Sequence, residues 1–201
     1  IEAAIDALEA AGAEIVPISI PSLKYSLGVY YIVVPAEISS NLSRYDGQRF
    51  GFSEPSAKDL EESYTKSRTK GFGREAKRRI MMGAYVLSSG YYDAYYNKAQ
   101  TVRTKLIQEF NEALKDVDVL VGPTAPTTAF KIGQNAADPM QMYLGDIMTV
   151  GASLVGIPAL VIPAGKVDGL PVGLQLMAAQ KADRMLLSIG ASAEKIIEDK
   201  N

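Results

Sequence analysis

Two side chains in this chain of 201 residues demand a partner by their chemistry, Arg79 and Asp146. Helical spacing from Ala76 puts Ala76, Arg79, Ile80, Gly83, Val86 and Leu87 on one face, with Lys77 and Arg78 pointing elsewhere. A guanidinium stays charged at any ordinary pH. Buried alone it would cost several kcal/mol, so Arg79 requires an anion. A planar carboxylate matches its fork best. That carboxylate is either an internal Asp or Glu or the carboxylate of a ligand. Asp146 lies on the flank of a second stripe, made of Met140, Tyr143, Leu144, Ile147, Val150 and Leu154. The two charges either pair with each other or hold the two ends of a small zwitterion. In the second case Arg79 takes the carboxylate and Asp146 the ammonium.

Other reactive groups are weaker candidates. Ser39, Ser40 and Ser43 lie in "EISSNLS", where no lysine stands by to activate a nucleophile. Capping or local hydrogen bonding accounts for them. Tyr91, Tyr92, Tyr95 and Tyr96 share one segment, which suits half-buried packing with hydroxyls reaching water. "GPTAPTTAF" is rigid and rich in hydroxyls, fit either to line a pocket or to form a plain surface loop. The basic runs "TKSRTK" and "REAKRR" read as solvated faces, with modest phosphate or RNA contact as the alternative. No Walker loop and no GxGxxG pattern is present.

Two absences narrow the chemistry further. The chain has no histidine, so it cannot assemble a Ser-His-Asp triad or an imidazole metal site. It has no cysteine, which removes thiol nucleophiles, thiolate metal sites and disulfides and fits a cytoplasmic setting. With 47% apolar and 22% charged residues and a net charge of −2, the balance is that of a globular protein, not a nucleic-acid coat. No apolar run has the length of a membrane span. The first residue is Ile, in mid-pattern, as expected of a fragment of a longer protein.

The elements that must position these groups alternate between helices and short apolar strands, an α/β pattern. Ile1, Ala4, Ile5, Leu8 and Ala11 predict a helix closed by Gly12, followed by a strand in "EIVPISI". "VYYIVVPAEISSNL" has strand propensity at Tyr30–Val34 but reads better as a kinked helix around Pro35. A polar helix over "SAKDLEESYTKSRTK" has Ser56 as its candidate cap. The Arg79 helix ends near "SSG", and a long helix follows with Tyr95, Ala99, Val102, Leu106, Phe110 and Ala113 inward. "VDVLVGPTAP" predicts a buried parallel strand. One helix is predicted over "DPMQMYLGDIMTVGASLVG", then a hairpin turning at Asp168-Gly169, then a last helix over 182–197.

Five segments, "YYIVVPAEISSNLSRYDGQRFG", "SRTKGFGREAKRRIMMGAYVLSSGYYDAYYNKAQ", "VLVGPTAPTTAF", "MYLGDIMTVGASLVGIPAL" and "LPVGLQLM", resemble the amidase signature family. Within it they are most similar to the glutaminase (A) subunits of tRNA-dependent amidotransferases, over essentially the whole chain. The resemblance implies that residues 1–201 are one domain, the C-terminal portion of an α/β fold with a mixed central sheet covered by helices on both faces. The family's Ser–cis-Ser–Lys machinery is missing, since no "GGSSGGS"-like run occurs. The chain alone is therefore expected to be inactive and to contribute no catalytic residue.

What the resemblance does transfer is a glutamine pocket. It implies that Arg79, in "KRRI", holds the α-carboxylate, that Asp146, in "MYLGDIMT", holds the α-ammonium, and that Tyr30, in "YYIV", contacts the same ligand. It further implies partners. A B subunit receives the ammonia, uses ATP and Mg, and carries most contact with the misacylated tRNA(Gln) or tRNA(Asn). A small C subunit joins the two. No cofactor is implied for this chain. "SLVGIPA", from Ser153 to Ala159, departs from the commoner "NLAGLPA". Two other readings stay open at this stage: another amidase signature hydrolase, or a binding module without catalysis.

Overall fold

The amphipathic stripe of the first residues forms helix α1 (Glu2–Ala10), which buries Ala4 and Ala7. Gly12 ends it at φ +104°, a left-handed conformation that suits glycine. The computed structural model describes residues 1–134 and 139–200. They divide into two compact units, Ile1–Leu27 with Val102–Asn201, and Gly28–Thr101.

The first unit is built on a three-stranded sheet. Strand β1 (Leu120–Pro123), strand β2 (Ala159–Val167) and strand β3 (Leu170–Met177) lie in the order β1-β3-β2. β2 and β3 form the hairpin expected from the sequence, Val167 opposite Leu170. Its two turn residues, Asp168 at φ 51° and Gly169 at φ 78°, both have positive φ, as a type I′ turn requires. β1 pairs antiparallel with β3, Leu120 opposite Met177, not parallel as predicted. A short apolar run specifies burial but not strand direction.

One face of β3 carries Leu174 and Leu176, both fully buried. Against them pack α1 and helix α8 (Asp183–Glu198), through Ala4, Leu186, Ala193 and Ile197. Gly190 brings α8 so close to β2 that a Cβ there would stand 2.2 Å from the Leu160 side chain. The predicted strand in "EIVPISI" does not form: residues 13–20 are irregular, and Ile15, Val16 and Ile18 are exposed. Pro17 has no N–H to give a ladder, and none of the described strands pairs with this segment.

Helix α5 (Lys98–Ala113) buries Ala99, Leu106 and Phe110, as its periodicity predicts. Its carboxylate Glu109 accepts from Ser22 N and Ser22 Oγ, both at 2.8 Å, tying down the turn before helix α2 (Ser26–Leu42). The single helix predicted over 138–156 is instead two. Helix α6 (Pro139–Leu144) and helix α7 (Val150–Val155) are separated by a turn at 145–149, and Asp138 lies outside the described residues. The stripe is real at Val150 and Leu154, both 3% exposed, but Met140 and Leu144 face solvent.

In the second unit α2 is helical, and Pro35 lies within it, fully buried. A proline there has no N–H for the carbonyl four residues earlier, that of Tyr31. Helix α3 (Leu60–Gly71) is capped by Asp59, not Ser56: Asp59 Oδ1 accepts from Glu62 N at 2.8 Å. Ser56 instead donates to Glu54 Oε1 at 2.6 Å. Helix α4 (Arg74–Val86) carries Arg79. A π-helical turn, Tyr92–Asn97, follows and shifts Tyr95 off the buried face of α5, leaving it 41% exposed.

Candidate functional site

Arg79 is placed by close packing of α4 on α2. A Cβ at Gly83 would stand 1.9 Å from Pro35 O, so only glycine permits the approach. One turn earlier in α4, the Arg79 guanidinium reaches the aromatic side of α2. It lies 5.7 Å from the centroid of the Tyr31 ring, a cation–π contact, and hydrogen-bonds Tyr30. Tyr30 and Tyr31 meet edge to face with centroids 5.2 Å apart. Tyr30 and Arg79, two of the three residues assigned by resemblance, are thus in contact.

The carboxylate beside Arg79 is Glu75, whose Oε1 accepts from Arg79 Nε at 3.0 Å. The other oxygen of Glu75 accepts from Arg78 at 2.8 Å. Arg79 is not sealed in the interior as its helical face predicts: its side chain keeps 25% of its exposure, and that of Glu75 keeps 47%. Burial works against the charge on Arg79. The hydrogen bond to Glu75, the interaction with Tyr31 and the hydrogen bond to Tyr30 outweigh it, holding the guanidinium above its usual value. Chemically this is a permanent cation on an aromatic platform, next to a carboxylate that water already reaches.

Sequence periodicity missed Tyr31, because it lies on a different helix from Arg79. It also passed over Glu75, although the i,i+4 spacing was readable.

Asp146 belongs to the other unit, in the turn between α6 and α7. Its side chain is exposed rather than half-buried. Gly145, Asp146 and Ile147 each donate their N–H three residues back, to Met142, Tyr143 and Leu144. The Asp146 carbonyl accepts from Thr149 N at 3.0 Å, Val150 N at 3.1 Å and Thr149 Oγ1 at 3.1 Å. Asp146 borders a cleft of about 920 Å³ within this unit, with Thr124, Thr127, Thr128, Phe130 and Met148 also on its wall. That is at the upper end of the roughly 300–1,000 Å³ of small-molecule sites. The hydroxyl-rich loop after β1 therefore lines a pocket. Ser153, the departure from the commoner family sequence, is exposed on α7.

The remaining candidates are structural. Tyr85, Tyr91 and Tyr95 cluster with centroids 4.4 to 6.2 Å apart, and Tyr92 stacks on Tyr96 at 5.2 Å. The hydrogen bond to Tyr91, then burial, pushes the Tyr85 phenol up to about 12. Ser43 donates to Ser40 O at 2.6 Å. In the basic runs Lys66 pairs with Glu62 and Lys70 with Glu54, while Arg68 donates to the carbonyls of Leu42 and Tyr45. No group of acidic residues suited to a metal ion occurs among the described residues. Nor is any described helix long and apolar enough to cross a membrane.

Comparison with known proteins agrees with this architecture. The chain is 52% identical over 198 residues to the A subunit of the glutamyl-tRNA(Gln) amidotransferase of Nitrosococcus oceani, covering 98% of this chain and 41% of the relative. The crystal structure of the corresponding protein of Thermotoga maritima superposes with a TM-score of 0.70 at 40% identity, over 96% of this chain and 37% of that one. Kluyveromyces lactis allophanate hydrolase gives a TM-score of 0.71 at 25% identity, over 98% of this chain and 29% of that one. The chain thus spans about two fifths of the length of the curated relatives it matches. The amidase family model covers residues 1–187, and with it the sheet, the Arg79 helix and the Asp146 turn: this chain belongs to the amidase family.

Proposed function

We propose that the chain is the substrate-holding C-terminal part of the glutaminase subunit of a tRNA-dependent amidotransferase. The observation that carries this reading is the identity gradient: 52% and 40% to the A subunits of glutamyl-tRNA(Gln) amidotransferases, against 25% to an allophanate hydrolase of the same fold. Residues 1–201 are then one portion of a single amidase domain. Arg79 takes the α-carboxylate of glutamine in a fork-like contact, with Tyr30 beside it, and Asp146 takes the α-ammonium.

The nucleophile is a serine outside these residues, activated through a lysine. It attacks the side-chain amide of bound glutamine and forms an acyl-enzyme, releasing ammonia. Water then releases glutamate. Ammonia passes to a B subunit, which activates the carboxylate of a misacylated tRNA with ATP and Mg and converts it to the amide. A C subunit completes the cytoplasmic complex. In this scheme the 201 residues hold substrate and release no ammonia by themselves.

The test uses the full-length subunit in its complex. Glutamine should be hydrolysed, and a simple aliphatic amide of the same leaving group rejected by about 10⁴ in kcat/KM, because both charged partners would be left unpaired. Arg79→Ala should raise the KM for glutamine about 100-fold. Equal use of the aliphatic amide, or a glutamine KM that ignores Arg79→Ala, overturns the assignment.

A further inference from the structure

Gln175 is a buried amide in an otherwise apolar strand. It sits at the centre of β3, opposite Gly122 of β1 and Val161 of β2, and is 3% exposed. Its neighbours Leu174 and Leu176 point to the face covered by α8. Alternation sends Gln175 to the opposite face. There Nε2 donates to the carbonyl of Met148 at 3.0 Å, across 27 residues of sequence. A buried amide without such a partner would be costly, so the side chain and that carbonyl hold each other.

Met148 is two residues after Asp146, in the same tight turn. The other end of the segment is also tied: Arg103 Nε donates to Leu154 O at 2.7 Å. The three bonds to the Asp146 carbonyl described above close the turn from Asp146 to Val150 around Met148. The turn itself is short-range and exposed. Gln175 is the contact in this set that fixes it to the sheet.

We infer that Gln175 is a positioning residue for Asp146: its amide sets the height and orientation of the 145–149 turn, and through it the selectivity for a substrate bearing an α-ammonium. The inference rests on the glutamine reading above. A group that holds a charged ligand must stand within a few tenths of an ångström of its productive place, and a displacement of about 1 Å costs up to about 100-fold.

The test measures hydrolysis by the full-length protein in its complex, with glutamine and with glutaramate, which is glutamine without its α-ammonium. Asp146→Asn should collapse the preference for glutamine, about 100-fold, with little effect on glutaramate. Gln175→Met keeps the volume and removes the donor. It should lower the same preference about tenfold, through the KM for glutamine, while kcat and the KM for glutaramate stay within about twofold. The double variant should be no worse than Asp146→Asn alone. A general structural defect would instead lower both substrates together.

Gln175→Glu, which can donate only while its carboxyl is protonated, keeps the test open if the methionine variant does not fold. Its preference for glutamine should rise towards the wild-type value as pH falls. If Asp146→Asn collapses the preference and the Gln175 variants leave it intact, this inference is overturned and the glutamine reading stands. If Asp146→Asn changes nothing, the ammonium role of Asp146 fails, and the inference with it.

Discussion

At the scale of single residues, the question is which carboxylate Arg79 is for. Glu75 accepts from Arg79 in the structure, but that pair is an i,i+4 contact with water on both sides. Such pairs contribute about 0.3–0.5 kcal/mol. Glu75→Gln should therefore lower stability by under about 1 kcal/mol. It should also leave the KM for glutamine within about threefold, whereas Arg79→Ala raises it about 100-fold. Urea unfolding and steady-state glutaminase assays measure the two effects. A KM rise in Glu75→Gln as large as that in Arg79→Ala would mean that the internal pair is the purpose of Arg79.

Glu54 supplies a pH test at the same scale. The hydrogen bond from Lys70 Nζ, at 2.7 Å, and then that from Ser56 hold its carboxyl down at about 2. A carboxyl with a lowered folded-state pKa contributes stability fully above its unfolded value of about 4.5, and loses that contribution as pH falls through about 2. Glu54→Gln should thus be less stable than the parent near pH 7, and the gap should close between about pH 4.5 and 2. Thermal unfolding of both proteins across that range decides it. A gap that does not change with pH would show that the Lys70–Glu54 ion pair adds nothing to stability.

At the scale of elements, α2 and α4 matter most, because each carries one member of the Tyr30–Arg79 contact. Their spacing is set at Gly83, where a methyl group would meet the backbone of Pro35 at 1.9 Å and the side chain of Ser39 at 2.6 Å. Backbone cannot give way as a flexible side chain can. Gly83→Ala should cost about 2–3 kcal/mol, visible in the denaturant midpoint, and should weaken glutamine binding by moving the helices apart. A neutral substitution would show that the two helices are not held at this distance.

Elements were legible in the sequence where one local signal sufficed. α1 with Gly12, α8 and the Asp168-Gly169 hairpin follow from a 3.6-residue stripe or a positive-φ pair. The long helix expected through Asp146 did not form as one piece. Its apolar pattern runs unbroken through Ile147, yet the hydrogen bonds at 145–149 reach back only three residues and interrupt it. The strand expected at 14–20 lacks a partner among the described strands. A strand is not a property of its own residues alone.

At the scale of the whole molecule, large apolar side chains remain in water. In the first unit Ile15, Val16 and Ile18 of the irregular segment are exposed, as is Leu187 of α8 at 60%. In the second, Met81 at 72% and the tyrosines 85, 91, 92 and 95 are exposed. Surfaces of this kind associate. The 201-residue chain made by itself should self-associate at micromolar concentration, seen as a concentration-dependent mass in light scattering. Charged substitutions at Ile15 and Met81 should reduce it. A monomer at all concentrations would contradict this reading of the exposed groups.

By itself the sequence determined the α/β class, most helices, the hairpin and its turn, and the absence of histidine and thiol chemistry. These are written in residue type and short-range period, which no fold can alter. Tertiary structure alone decided that β1 runs antiparallel to β3, that Tyr31 and Tyr30 meet Arg79, that Asp146 stands in a break between helices, and that Gln175 holds that break to the sheet. Each of those depends on backbone groups brought together from distant parts of the chain. The hydrogen bond from Gln175 to Met148 spans 27 residues, and no local pattern in "LPVGLQLM" says which carbonyl its amide will reach.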